Sequence, residues 1–293
     1  MQSVWLARIS WLALAVVPGA LSLPGASGDA MFSADNVAHL AAVALLWLAW
    51  AAVAFGLIVL HPLSLAAIRW LSPMVAAHVW WMALFADNAS GLVRLVAALL
   101  VAVTLLVSLR AEFGARHVQA AAYGHERRHL LRPPVAVILP SALVWFVAVA
   151  LAAVVLHTER PALAVPSAVA SIVVAGFGWR RVSVLTRRWL VYVPAGIAVH
   201  DPLMLRDTFM VRRHDVRAVG VAADSTSPDE TSGESFDITG TTWGQPVQIT
   251  LAHLHDVSLS AFGARMTRTL DRVHVRALRI APTRSRAALS ETT

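Results

Sequence analysis

Apolar runs long enough to cross a bilayer fill this chain up to Gly178 and then cease. The break falls in Trp179–Asp201, which reads WRRVSVLTRRWLVYVPAGIAVHD. Upstream, the runs approach the roughly 20 apolar residues that a helix needs to span the hydrocarbon core. Downstream, the hydrophobic period changes to two, the period of a half-buried strand. Four arginines sit at the break: Arg180, Arg181, Arg187 and Arg188. This stretch reads as the cytoplasmic exit of a last membrane helix, running straight into the first strand of a soluble domain.

Composition agrees. Charged residues make up 14 % of the chain and hydrophobic ones 58 %. A soluble domain carries about 25 % charged residues, so the deficit points to lipid as solvent. Cys is absent, which excludes disulfides, thiolate metal sites and cysteine nucleophiles. The 24 basic residues are all Arg, a bias expected of a GC-rich bacterial genome. The formal charge of +7 is uneven. Residues 1–182 hold eleven Arg against six acids, and residues 183–293 hold thirteen against eleven. A basic excess beside apolar spans suits anionic headgroups better than nucleic acid, which would call for a basic face on the soluble part.

Six segments read as spans. Val4–Leu23 is either a retained span or a cleaved signal, since small residues (Gly25–Gly28) follow it. Val37–Leu60 is apolar apart from His39. Pro62–Ala86 is ambiguous: Arg69 and Pro73 interrupt it, and His78, Trp80 and Trp81 follow. It is either a kinked span or an interfacial helix leading into a short one. Asp87–Ser90 reads as a polar turn. Gly91–Leu109 carries Arg94 near its start, and Pro134–Leu156 and Pro161–Gly178 form a helical hairpin. Cytoplasmic loops carry the arginines. Arg110, Arg116, Arg127, Arg128 and Arg132 lie in one loop, and the seam arginines lie two spans later on the same side. Six spans with both termini in the cytoplasm place every loop correctly except the one holding Arg160.

The fold class expected is therefore a membrane α-helical bundle of about six spans plus a C-terminal antiparallel β domain, a PH-like barrel or a sandwich. Residues 1–182 form the transmembrane part, 183–282 the cytoplasmic β-rich part and 283–293 a flexible tail. The strand candidates are Trp189–Val193, Ile197–His200, Leu203–Arg212, Val216–Ala222, Phe236–Thr239, Val247–Leu251 and Val273–Ile280. Asp224–Glu234 reads as an acidic loop, and Ser260–Asp271 as a short helix or a bent strand.

Three strings carry a resemblance: RRWLVYVPAGIAVHDPL at 187–203, AYGHERRHLLRPP at 122–134 and APTR at 281–284. The chain resembles a family of uncharacterised multi-pass membrane proteins from actinobacteria, over most of its length. That resemblance implies no activity. The strand-rich part is also similar, in pattern and position, to the bacterial pleckstrin-homology-like domains that follow membrane helices.

His125-Glu126-Arg127-Arg128-His129 is formally HExxH. On a helix that spacing puts two imidazoles on one face for zinc, with the glutamate as general base. Two arginines between the ligands, Gly124 before them and Pro133-Pro134 after them argue for a solvated basic loop instead. His253 and His255 would share a strand face and could chelate a metal, but exposed histidines at a loop end are the plainer reading. His39, Arg69, His78 and Arg94 read as packing or interfacial groups before they read as a transport pathway. Trp145, Trp179 and Trp189 read as anchors or packing residues.

No catalytic residue, cofactor or metal is assigned. The function expected is a non-enzymatic integral membrane protein whose cytoplasmic β domain binds a protein partner or the membrane surface. Candidate headgroup contacts are Arg110, Arg116, Arg127, Arg128, Arg132, Arg180, Arg181, Arg187 and Arg188. The alternatives are a small-solute transporter or channel, with Pro73, Pro140 and Pro166 breaking helices around a site, and a zinc metalloprotease using His125, Glu126 and His129.

Overall fold

A computed structural model describes residues 2–17, 20–21, 37–85, 90–157, 160–222, 235–240 and 243–291. The chain divides into two compact units, residues 1–113 with 142–182 and residues 114–141 with 183–293.

The first unit is helical. Its elements are α1 (Gln2–Leu14), α2 (Val37–Ile58), α3 (Pro62–Phe85), α4 (Gly91–Leu109), and the greater part of α6 (Val135–His157) and α7 (Pro161–Leu185). Helix α1 packs on α4 and α2, α2 on α3, and α3 on α4. Polar groups fasten these apolar helices together. The Trp11 indole donates to the Trp50 carbonyl, and the Trp50 indole donates back to the Trp11 carbonyl, both at 3.0 Å. Ser10 and Thr104 share a buried hydroxyl bond of 2.7 Å between α1 and α4. The Arg8 guanidinium donates to the carbonyls of Leu57 and Ile58, the last of α2. Those carbonyls have no partner within their own helix, and a cation is favoured at that end. Gly178 of α7 lies against Trp70: a Cβ there would come within 2.1 Å of the indole ring.

Among the described residues three helices, not about six, combine the length and apolar character needed to cross a membrane: Gly91–Leu109, Val135–Val155 and Ala162–Leu185. The difference has physical causes. Helix α1 is only 13 residues long, about 20 Å at 1.5 Å per residue, against a core of about 30 Å. Helix α2 is 22 residues long, and its described side chains include the apolar run Val43–Ile58. Helix α3 is long enough but carries Ser64, Arg69, Ser72, Pro73 and His78. Helices α6 and α7 bury almost none of their span surface inside the protein. Their outward residues are large and apolar, Leu139, Phe146, Val165, Ile172 and Val173 among them. So broad an apolar exterior is the surface of a membrane protein.

The second unit is mostly β. Helix α5 (Ala111–Gln119) leads in to β1 (Arg127–Leu130). After α6 and α7 come β2 (Trp189–Val193), β3 (Gly196–His200), β4 (Phe209–Arg212), β5 (Val216–Val221), β6 (Ser235–Asp237), β7 (Val247–Ser258), α8 (Ala261–Thr267), β8 (Arg272–Ile280) and α9 (Ser285–Leu289). They form two four-stranded sheets, ordered β1-β2-β3-β4 and β5-β7-β8-β6. The pairs are antiparallel except β6 with β8, which is parallel, so the expectation of a purely antiparallel domain is corrected. The sheets do not close into a barrel. Single bridges at Leu131–Pro282 and Leu205–Leu259 join them, and one core lies between.

The alternation in the sequence sets that core. Leu190, Ile197, Val199, Phe209 and Val211 enter it from the first sheet. Val247, Ile249, Leu251, Val275, Leu278 and Ile280 enter it from the second, and Ala288 of α9 closes one side. Strands β3 and β4 approach closely at Gly196 (φ +157), where a Cβ would collide with the Val211 carbonyl oxygen of β4.

Several boundaries differ from the sequence reading. Leu203 is buried in a turn and Leu205 in a single bridge rather than in a strand, because the Asp201 carboxylate caps the backbone N–H groups of Leu203 and Met204. Strand β7 continues through His253–His255 to Ser258, with a register shift between Thr250 and His255. The segment Ser260–Asp271 holds a helix, capped by Ser260. The expected loops at Pro24–Asn36, Asp87–Ala89, Thr158-Glu159 and Asp224–Glu234 lie outside the described residues.

Candidate functional site

The site lies within the β unit, where β1, which leads into α6, pairs with β2, which follows α7. Strand β1 precedes α6 and β2 follows α7, yet the two strands pair, with Leu130 opposite Trp189. Two helices of spanning length are thus threaded between neighbouring strands of one sheet. The two chain ends are fastened side by side: the Leu131 N–H donates to the Arg188 carbonyl at 2.9 Å, and the Arg132 N–H donates to the Ala281 carbonyl at 2.7 Å.

Arg188 locks this junction. Its Nε and Nη2 donate to the two Asp201 carboxylate oxygens, each at 2.7 Å, and Nη1 donates to the Arg132 carbonyl at 2.7 Å. The side chains are 1 % and 0 % exposed. A fork-on-fork pair of this kind fixes orientation as well as supplying energy. Arg188 is therefore not a headgroup contact, because its guanidinium is consumed inside the protein. Asp201 was not singled out by sequence reasoning. Its signal was there, an Asp-Pro step interrupting an alternating run, which favours a side-chain-capped turn.

The other arginines fall into groups. Arg132 reaches the Trp243 and Thr283 carbonyls, and so tacks the root of α6 to the β unit. Arg128 is half-buried: it donates twice to Glu126 Oε2, at 3.0 and 2.7 Å, and lies over the Trp189 ring, 5.3 Å from its centroid. Trp189 in turn stacks on His200 at 5.1 Å, nearly parallel. Arg128, Trp189 and His200 therefore make a cation–π ladder across three strands, on the face away from the core. Arg187 is exposed and donates to the Ser183 carbonyl. Arg110, Arg127, Arg180 and Arg181 are exposed, and Arg116 is half-buried on α5. Arg181 covers the Phe177 ring at 5.0 Å. Among the candidate contacts, Arg110, Arg127, Arg181 and Arg187 are exposed where an external anion can reach them.

The HExxH string does not lie on a helix. His125 is exposed in a turn, and residues 127–130 are strand. Positions four apart on extended chain lie about 13 Å apart, too far to share one ion. Glu126 is held by Arg128, whose hydrogen bond lowers the carboxyl below its usual range; a lowered pKa is the wrong direction for a general base. Its backbone is gripped by Gln119, which donates to the Glu126 carbonyl and accepts from the Arg128 N–H. His253 is exposed on β7, while His255 meets Phe209 edge-on, and Asp256 pairs with His274 across to β8. Among the described residues no group of three or more metal-ligating side chains converges.

On the opposite face of β1, His129 meets Tyr192 edge-on at 5.7 Å. Neither His129 Nε2 nor the Tyr192 hydroxyl has a hydrogen-bond partner among the described residues. Burial lowers the His129 pKa, and Arg284 and Arg127 push the same way, against Glu291 at 4.0 Å. Burial, with Glu291, raises Tyr192 to about 12. His200 is lowered too, chiefly by burial.

No family model, curated protein or solved structure matches this chain.

Proposed function

We propose that this chain is a membrane-anchored binding protein, with the β unit on the cytoplasmic side and acting by docking rather than by catalysis. Its target is an anionic membrane surface or a protein held there. One observation carries the reading: two helices of spanning length are inserted between adjacent strands, and Arg188 and Asp201 clamp their ends together. A β unit built around the roots of its own anchor is held at the bilayer, where a weak site acts at high effective concentration.

The reduced number of spans leaves the sidedness argument intact. Arg110–Arg132 and Arg180–Arg188 are separated by two helices of spanning length, so both clusters share one side. Such an arginine excess marks the cytoplasm. The resemblance to actinobacterial multi-pass proteins and to pleckstrin-homology-like domains supports the same layout.

The absence of Cys makes the test simple. Trp243→Cys, in the β unit, should react with a membrane-impermeant maleimide only after the inner membrane is opened. The chain should also stay in the pellet after alkaline washing. Labelling from outside intact cells would overturn the sidedness, and release by alkali would overturn the anchor.

A second reading, a solute path through the helical unit, is favoured by one observation. Arg69 Nε, Ser72 Oγ and Arg94 Nε are buried without a hydrogen-bond partner among the described residues. Polar groups buried among membrane helices mark pathways by default. Radiotracer flux in proteoliposomes that falls on Arg69→Leu would support it; no flux across a broad solute panel would remove it.

A further inference from the structure

We infer that the β unit carries a lipid-inserting edge formed by Leu270 and the arginines around it, Arg206, Arg265, Arg268 and Arg272, which takes an anionic bilayer surface as its partner. The inference rests on the proposed membrane-side position of this unit.

Three pieces of chain meet here. Leu205 bridges Leu259, and the Arg206 N–H donates to the Ser258 carbonyl at 3.0 Å. Ser258 is paired with Arg272 on its other side. Arg206, Ser258 and Arg272 therefore form a row across three extended segments. Directly opposed residues share a face, and that face points away from the core, since Val257 and Leu259 are the buried neighbours. The outer members of the row lie about 10 Å apart, two inter-strand spacings. Helix α8 ends beside it with Arg265 and Arg268, three positions apart and hence neighbours on the helix surface. All four arginines are exposed, and none is in an ion pair among the described residues. Asp207 and Asp271 lie alongside, leaving a basic excess.

Two further features point to a bilayer rather than a soluble anion. Leu270 stands 78 % exposed at the loop tip between Arg268 and Arg272. A free phosphate gains nothing from that side chain, whereas a leucine ringed by arginines fits a headgroup layer with hydrocarbon beneath it. Arg268 is also the one non-glycine residue with positive φ among those described (φ 54, ψ 40). It occupies the left-handed end of α8, where glycine is favoured. An arginine kept in a conformation that disfavours side chains is accounted for by use of its charge. Each such charge near an anionic leaflet strengthens attraction about fivefold.

The test uses the full chain in proteoliposomes, with Leu270→Cys as its single cysteine carrying an environment-sensitive dye. Vesicles of phosphatidylglycerol mixed with phosphatidylcholine should blue-shift the dye, and brominated acyl chains should quench it. Pure phosphatidylcholine or high salt should reverse both effects. The triple variant Arg265→Gln/Arg268→Gln/Arg272→Gln should lose the shift while retaining native protease resistance. Arg268→Gly separates binding from folding: it should raise the melting temperature while weakening the shift. A dye that stays aqueous in both lipids overturns the inference. So does a shift without bromolipid quenching, which would mean a protein contact, or a shift independent of charge. Alkali-resistant retention, scored on the same vesicles, reports on the membrane anchor separately from the dye.

Discussion

Ile172 on α7 is 73 % exposed, while Ile249 on β7 is 1 % exposed. The same side chain is placed outward in one unit and inward in the other, and the contrast extends to the polar groups. In the helical unit, hydroxyls and indoles hold apolar helices together: Ser10 with Thr104, Trp11 with Trp50. In the β unit apolar burial does the holding, and the buried Arg188–Asp201 ion pair fixes the junction. Hydrocarbon gives apolar helices no reason to associate, so hydrogen bonds and close packing set their contacts. Water supplies the hydrophobic drive for the β core. The lesson is that two solvents act on one chain, and the change of rule falls at the seam.

The largest effect is expected at Asp201. Asp201→Ala leaves the Arg188 guanidinium buried and unpaired, at a cost of about 3–5 kcal/mol. The β unit should unfold at markedly lower denaturant, while α-helical circular dichroism persists. The double replacement Arg188→Met/Asp201→Leu should recover only part of the loss: it removes the unpaired charge but not the lost caps on the Leu203 and Met204 N–H groups. If the single variant also melts the helical signal, the two units are not independent.

That junction also shows what could be read from sequence. The seam was legible because the hydrophobic period changes there, and Leu190, Ile197, Val199 and Val211 reach the core their alternation assigns them. Strand β1 was not legible. Its alternation sets Arg127 and His129 against Arg128 and Leu130, with no apolar face to betray it. It is a strand because β2 pairs with it, across a gap filled by two whole helices. Local pattern carries no signal of such a partner. The span count failed for a related reason: composition reports that a segment is oily but not where its helix stops. Helix α1 ends at Leu14, well short of the apolar run to Leu23. Of the site, the arginines were legible as charge, but their sorting into buried clamp, ladder and open contacts required the fold.

A smaller effect is expected in the helical unit. Gly178→Val would drive a side chain into the Trp70 ring; overpacking costs about 1–3 kcal/mol. Thermal aggregation in detergent should fall by several degrees, and Trp70→Leu in the same background should restore it. Smaller again is the reciprocal indole pair. Trp11→Phe removes one hydrogen bond to a backbone carbonyl, worth about 1 kcal/mol, and Trp50→Phe should match it. If the double variant loses no more than either single, the two bonds act as one coupled unit.

The smallest effect should appear only in the water-facing unit, as a dependence on pH. His129 and His200 both have pKa values lowered below 6.5 in the folded state, chiefly by burial. Burial disfavours the charged imidazolium, so the unfolded chain takes up these protons first as the pH drops. Stability then rises with pH wherever the unfolded state holds more protons. The contribution is complete above 6.5 and is lost as the pH falls from there towards the lowered folded values, below which it changes no further. Glu291 opposes the trend at His129, but at 4.0 Å it makes no hydrogen bond, so burial wins. Chemical unfolding of the β unit, followed by tryptophan fluorescence between pH 7.5 and 5, should show decreasing stability. His129→Gln and His200→Gln should each flatten part of the slope, and unfolding of the helical unit should stay level. A slope of opposite sign would mean that the Glu291 pairing dominates, and that the C-terminal helix α9 is clamped by acid rather than loosened by it.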